Sequence, residues 1–338
     1  MIIARAPLRM SFVGGGTDLP DFYRHYPGRV ISTTLDKFVY VVINQAHLLN
    51  QFIVKYQVTE TVKHPSELSH DRFRAALLEY GIVSNGLEIA SFADLPAKTG
   101  LGSSSSFSVA LIKGLNAYLG KTISREEAAA AAARLEIDIL HEPIGKQDQY
   151  AAAFGGFNVF QFNADGSVKV EPVLLDFKKK ADLENHLLLY FTGITRAAAS
   201  VLSEQKNKIT DNLETYKQMS DSVYEFRDKL LAGDIKGLAA TLHQGWLRKK
   251  SLAASVSNST IDVLYDAGMS NGAWGGKILG AGGGGCLLLI APPEKHQEIN
   301  AVLAETAAGL NLKDFRLIPV KFTQAGADIL FHSIGHYY

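Results

Sequence analysis

Three glycine-rich runs, at residues 14–16, 100–106 and 280–285, break the chain where apolar, β-branched segments stop or start. Glycine reaches backbone conformations closed to other residues and puts no side chain between main chain and ligand. Such runs therefore mark tight turns or places where a ligand approaches the backbone. Around the first run, residues 2–4, 8–13, 30–34 and 38–44 read as strands. Strand-like residues 87–92 lead to the second run, which feeds 107–119, a segment of helical apolar spacing that stops at Gly120. The third run lies between strand-like segments at 273–279 and 286–290.

The remaining segments fill in two halves. Ser69 ahead of residues 71–80, with Gly81 behind them, supplies a cap at each end of a helix. Ser124 with Glu127 forms a capping box for an alanine-rich helix reaching Leu140. Residues 157–162 and 168–174 pair about the turn dipeptide Asp165-Gly166. The charged stretch 176–184, which includes Lys178, Lys179 and Lys180, is the boundary, a solvated linker or helix face. Beyond it come a strand at 186–191, three or four amphipathic helices between 197 and 267, a helix near 293–309 and a strand-like segment at 315–322. The pattern is α+β in two domains, 1–182 and 183–338.

At 338 residues and 47% hydrophobic, the chain has ample material for a full core. Lys and Arg number 34 against 34 Asp and Glu, so the basic excess that a general nucleic-acid binder needs is missing. One cysteine, Cys286, forms no internal disulfide, which fits a reducing cytoplasm. The opening apolar run is too short for a secretory signal, and the run after Cys286 ends at Pro292 and Pro293, so no membrane segment is expected.

Several motif matches fail their context. Residues 280–285 spell G-x-G-x-x-G, but a dinucleotide fingerprint opens a helix, and here a strand follows. Residues 114–122 end in Gly-Lys-Thr, yet five residues separate the glycines where a P-loop has four, and a helix stop explains them. His332 and His336 have i,i+4 spacing, but Gly335 and the nearby terminus speak for a packed or frayed tail rather than a metal site.

The middle loop has the strongest logic for phosphate. Gly100 and Gly102 let backbone amides approach an anion at a helix N-terminus, and four serines add hydroxyls for phosphate or hydrated Mg²⁺. One serine would suffice for an ordinary helix cap. A phosphoryl-transfer site also needs carboxylates. Asp148 sits in a dense polar segment with Lys146 and Gln149, although helix capping explains it too, while composition alone makes Glu136 a solvated helix-face residue.

Residues 7–18 with Pro7-Leu8-Arg9 and Gly14-Gly15-Gly16-Thr17-Asp18, residues 96–106 with Gly-Leu-Gly-Ser-Ser, and residues 277–286 resemble the three motifs of the GHMP kinases, in the same order. That superfamily takes its name from galactokinase, homoserine kinase, mevalonate kinase and phosphomevalonate kinase. Further stretches resemble one branch, the D-glycero-D-manno-heptose 7-phosphate kinases: Gly-Gly-Gly-Thr-Asp18, Gly-Lys-Gln-Asp148-Gln-Tyr, Thr192-Gly-Ile-Thr-Arg196 and Trp246-Leu-Arg-Lys-Lys250.

The resemblance implies a ribosomal-S5-domain-2-like N-terminal domain and a ferredoxin-like C-terminal domain with the site between them. It implies ATP held by Gly100, Leu101, Gly102, Ser103, Ser104, Ser105 and Ser106, and Mg²⁺ held by Ser104 and Glu136. Asp148 becomes the base, with Lys146 supplying positive charge beside the transferring phosphoryl. Asp18, with Gly15, Gly16 and Thr17, takes sugar hydroxyls, and Gly282 and Gly283 face the phosphate loop across the cleft. Arg196, Lys249 and Lys250 are candidates for a phosphate already on the substrate. Gly15-Gly16 stands where galactokinase-like members have Glu-His, which argues against galactose.

The implied reaction phosphorylates the anomeric hydroxyl of D-glycero-D-manno-heptose 7-phosphate. A free hexose such as fucose or galactose, a non-catalytic sugar or nucleotide sensor, and a mevalonate diphosphate decarboxylase are the rivals. The state of assembly stays open, with a homodimer among the alternatives.

Overall fold

The computed structural model describes residues 1–45, 48–83, 86–195 and 198–333. In chain order its strands are β1 (Ile2–Val13), β2 (Gly28–Gln45), β3 (Phe52–Lys55), β4 (Thr59–Val62), β5 (Leu87–Ala93), β6 (Asn158–Phe162), β7 (Val168–Pro172), β8 (Leu187–Phe191), β9 (Gly275–Ile278), β10 (Cys286–Ile290), β11 (Arg316–Leu317), β12 (Phe322–Thr323) and β13 (Asp328–His332).

The larger sheet runs β13-β1-β2-β5-β3-β4, with β6 and β12 pairing elsewhere along β2 and β7 outside β6. The runs at 2–4 and 8–13 are thus one strand, not two. Pro7 has no N–H for the ladder, and the β1–β2 register shifts between Pro7 and Arg9. The helix Ser103–Tyr118 lies on β1 and β2 and starts inside the serine run, earlier than the apolar spacing alone indicates.

The second sheet has the order β11-β8-β10-β9, antiparallel throughout, and its elements follow as strand, helices, two strands, helix, strand. That is the ferredoxin-like arrangement. Four longer helices, Ala198–Asn207, Leu213–Ala232, Ile235–Leu252 and Ser259–Ser270, fill the interval between β8 and β9. One buried cluster joins the two sheets: Phe12 of β1 stacks on Phe157 and on Phe226, with ring centroids 5.8 and 5.1 Å apart.

Local sequence signals set some helix ends and not others. The capping box forms, with the Ser124 hydroxyl accepting from the Glu127 N–H at 3.1 Å and the Glu127 carboxylate accepting from the Ser124 N–H at 2.7 Å. The alanine-rich helix Arg125–Ala133 then widens into a π-helical turn, Arg134–Ile139. His70, not Ser69, caps the helix Asp71–Glu79, its Nδ1 accepting from the Phe73 N–H. The charged boundary stretch is the helix Phe177–Asn185, capped by Asp176. Residues 315–322 divide between sheets: β11 joins the second, β12 the first. β13, which contains His332, returns to pair with β1, so the end of the 183–338 half contributes strands to the first sheet. His336 lies outside the described residues. Among the described residues, no helix is long and apolar enough to cross a membrane.

Candidate active site

The three glycine runs meet at one cleft of about 400 Å³. Gly14 has φ +90°, and a Cβ there would lie 2.0 Å from the Arg29 carbonyl oxygen. The buried Thr17 hydroxyl closes this loop by donating to the Gly14 and Arg29 carbonyls at 2.8 and 2.7 Å. Asp18 is then held with one carboxylate oxygen on the Gly16 N–H and the Gln147 side chain (both 3.0 Å), and the other on the Gln147 N–H (3.2 Å). Burial, followed by the charge of Asp148, raises the Asp18 pKa, and the backbone N–H donors oppose that rise.

Gly100 and Gly280 bring the second and third loops into backbone contact. With φ +79° at Gly100, a Cβ would sit 2.5 Å from the Leu279 carbonyl oxygen, and a Cβ on Gly280 would sit 2.8 Å from the Gly100 Cα. Gly100→Ala therefore meets both left-handed strain and a backbone clash. We expect it to lower the apparent affinity for ATP about tenfold or more, measured by titration with nucleotide, and an unchanged affinity would show that this loop contact does not shape the site.

Arg9 is the hub of the cleft. Its buried guanidinium makes a two-pronged ion pair with Asp148, Nε and Nη2 each 2.8 Å from a carboxylate oxygen, and Nη1 donates to the Gly100 carbonyl at 2.6 Å. One arginine thus links the phosphate loop to the carboxylate, in the planar fork geometry that fixes orientation. Gly102, the left-handed residue before the helix Ser103–Tyr118, lies against this side chain.

Of the residues singled out in the sequence, Gly16, Asp18, Gly100, Gly102, Ser103, Ser104, Ser105, Asp148, Lys249 and Gly282 line the cleft. Others lie behind it. Leu101 accepts the Arg9 N–H through its carbonyl, Ser106 donates to the Pro7 carbonyl, and the Gly283 N–H donates to Val256. Gly15 and Thr17 shape the first loop rather than face the cavity.

Lys146 turns away from Asp148. Its amine donates to the Gly166 carbonyl at 2.9 Å, lies over the Tyr23 ring and lines a second cavity with Arg24, Asp138 and Asp165. The positive charge expected there comes from Arg9 instead. Lys250 is also outside the cleft, 3.2 Å from Asp262. Arg196 falls outside the described residues. Arg72, Lys98 and Glu142 also line the cavity, as do Arg9 and Gln147, which the sequence presents only as members of motifs, with no role of their own. For Arg9 the available signal was an arginine inside an otherwise apolar strand.

Glu136 is fully buried and sits beneath the loop, not on a solvated face. It accepts from the Ser105 and Ser108 hydroxyls (each 2.8 Å), from Arg72 Nε (3.1 Å) and from the Gln149 amide. Ser105, rather than Ser104, is therefore its serine partner; Ser104 is exposed at the cleft. The Gln149 Oε1 is buried without a partner beside this carboxylate. Hydroxyls, a carboxylate and an unused amide oxygen are the hard-oxygen chemistry that Mg²⁺ accepts, so these residues fit such an ion. Among the described residues there is no group of three or more His, Cys, Asp or Glu that could hold a metal ion.

The model of the GHMP kinases N-terminal domain matches residues 69–156, and that of the GHMP kinases C-terminal domain matches residues 226–307. The chain is 29% identical over 318 residues to the D-glycero-alpha-D-manno-heptose 7-phosphate kinase of Campylobacter jejuni, a match covering 90% of this chain and 94% of that one. It is also 29% identical over 329 residues to the bifunctional fucokinase/GDP-fucose pyrophosphorylase of Arabidopsis thaliana, covering 89% of this chain and 31% of that one. The crystal structure of a D-glycero-D-manno-heptose 1-phosphate kinase from Bacteriodes thetaiotaomicron matches with a TM-score of 0.79 at 24% identity, covering 98% of this chain and 99% of that one, a likeness of fold.

Proposed function

The chain belongs to the GHMP kinase family, and from that premise we propose that it is an ATP-dependent sugar kinase that phosphorylates the anomeric hydroxyl of D-glycero-D-manno-heptose 7-phosphate. The observation that carries the chemistry is the Arg9–Asp148 ion pair. It sets a carboxylate at fixed orientation beside a glycine loop whose amides and hydroxyls suit a nucleotide phosphate. The similarity to the Campylobacter jejuni kinase carries the choice of sugar.

In this reading the amides and serines of residues 100–106 hold the phosphates of ATP at the helix N-terminus. Asp18, kept in place by Gln147 and the Gly16 amide, accepts hydrogen bonds from sugar hydroxyls. Asp148 orients the anomeric hydroxyl and takes its proton. The bond from the anomeric oxygen to the γ-phosphorus forms, the bond to the β,γ-bridging oxygen breaks, and ADP leaves with that electron pair. The proton on Asp148 then passes to solvent. Ser104, Ser105 and Glu136 are the residues that would hold Mg²⁺, which when bound neutralises charge on the β- and γ-phosphates. The product is the 1,7-bisphosphate, a precursor suited to nucleotide-activated heptose, and we take the cytoplasm, where ATP is supplied, as its compartment.

The test is ADP release from Mg-ATP with a panel of heptose 7-phosphate, unphosphorylated heptose, fucose, galactose, mannose and mevalonate. Turnover concentrated on heptose 7-phosphate supports the proposal. Turnover on a free hexose retains the chemistry and overturns the substrate, and binding without turnover on any member overturns the enzyme reading in favour of a sensor.

A further inference from the structure

Lys249 is a buried ammonium with too few partners. It projects from the helix Ile235–Leu252, is 4% exposed and lines the cleft. Its one hydrogen bond goes to the Gly280 carbonyl, and among the described residues it has no ion pair with a carboxylate. An ammonium has three N–H donors, and leaving them unused in a buried place is costly.

The surrounding charges sharpen the point. Arg9, Asp18, Asp148 and Lys277 are the charged groups that act on Lys249. Arg9 is already committed to Asp148. Asp18 is satisfied by Gly16 and Gln147. Lys277, also buried, donates to the Ser11 and Phe12 carbonyls at 3.1 and 2.8 Å. Burial, with the charges of Lys249 and Arg9, pushes Lys277 well below the usual lysine range, and the two carboxylates that act on Lys249 already have their donors. Burial and the Arg9 charge pull Lys249 down to about 8. Lys249 is left at the cleft with unused donors and no carboxylate to take them, and that calls for an anion.

The position identifies which anion. Gly280, which Lys249 holds, packs against Gly100 of the phosphate loop, and the Gly100 carbonyl is held by Arg9, which grips Asp148. Lys249 thus stands where the phosphate loop, the third glycine loop and the carboxylate converge. A phosphate at C7 of a heptose lies at the far end of the sugar from the anomeric oxygen that Asp148 addresses. We infer that Lys249 grips the γ-phosphoryl group in transit between ATP and the acceptor hydroxyl, and does not bind a phosphate carried by the substrate. This rests on the phosphoryl-transfer reading above but not on the identity of the sugar.

The experiment measures binding of ADP and of the non-hydrolysable analogue AMP-PNP, each with Mg²⁺, by calorimetry for the wild type, Lys249→Met and Lys249→Arg. ADP affinity and the thermal midpoint report whether each variant is folded. Lys249→Met is expected to keep ADP affinity within about threefold while losing about 10- to 100-fold of the preference for AMP-PNP, the scale of hydrogen bonds to a charged group. Its kcat should fall with little change in the KM of the acceptor. Lys249→Arg is expected to recover part of the preference and to keep it as pH rises from about 7 to about 9.5, whereas the wild-type preference declines as the ammonium deprotonates. An unchanged AMP-PNP preference in a folded Lys249→Met protein overturns the inference. So does a rise in KM confined to phosphorylated acceptors. If neither nucleotide binds the wild type, the kinase reading itself has failed, a separate outcome.

Discussion

Asp148→Asn is expected to lower kcat by about 10²- to 10⁴-fold, the range contributed by a positioned proton acceptor, while ADP affinity stays within about threefold. The amide is nearly the same size as the carboxylate, so packing is kept. It cannot take the proton of the attacking hydroxyl, and it cannot accept from both Arg9 Nε and Arg9 Nη2 as the carboxylate does, since one of its two polar atoms is an NH₂ donor. The mismatch loosens the arginine as well, and with it the link to the Gly100 carbonyl. Steady-state kinetics with saturating Mg-ATP, beside an ADP titration, separates the two quantities. Near-normal turnover would remove Asp148 from the reaction.

The second large effect falls on stability. Glu136→Ala leaves the half-buried Arg72 guanidinium without one of its two carboxylates and strips partners from Ser105, Ser108 and Gln149 around a fully buried position. Breaking a buried ion pair from one side costs about 3–5 kcal/mol, most of it from the polar groups left behind. Denaturant unfolding should show a loss of unfolding free energy of that size, read as a lower midpoint at an unchanged slope. Arg72 also reaches Glu142 at 2.6 Å, and Glu142 lines the cleft, so disorder here spreads to the site wall. Because Arg72 and Glu136 are partners, the double variant with Arg72→Ala should cost less than the sum of the two single changes. An unfolding midpoint equal to that of the wild type would mean that Glu136 is not the structural clamp its contacts describe.

The legible parts of this chain are those that local chemistry dictates. The glycine runs had to be loops, Ser124 and Glu127 had to cap a helix, and Asp165-Gly166 had to turn a hairpin, because each depends on residues a few positions apart. The convergence of the runs on one cleft was legible only through their order and resemblance to a family. What stayed hidden depends on direction and on long-range pairing. Lys146 and Gln147 are neighbours in sequence, yet Gln147 faces Asp18 and Lys146 faces the opposite cavity, a choice set by the start of the helix Gln147–Phe154.

Glu136 looked solvated because its neighbours are polar or simple helix formers. Its burial arises from the Ser103–Tyr118 helix and from Arg72, both distant in sequence. Arg9 passed as a strand residue because a buried arginine makes sense only once its carboxylate, 139 positions away, is in view. The return of β13 to β1 pairs the two ends of the described chain, a contact that no local pattern announces.

Phosphorus NMR of a single reaction shows whether this cleft moves a phosphoryl group onto an anomeric oxygen, as proposed. With Mg-ATP and D-glycero-D-manno-heptose 7-phosphate, we expect ADP and a new phosphorus resonance coupled to the anomeric proton, with the original 7-phosphate signal retained. Inorganic phosphate as the sole new species, or a new phosphate on a carbon other than the anomeric one, would contradict it.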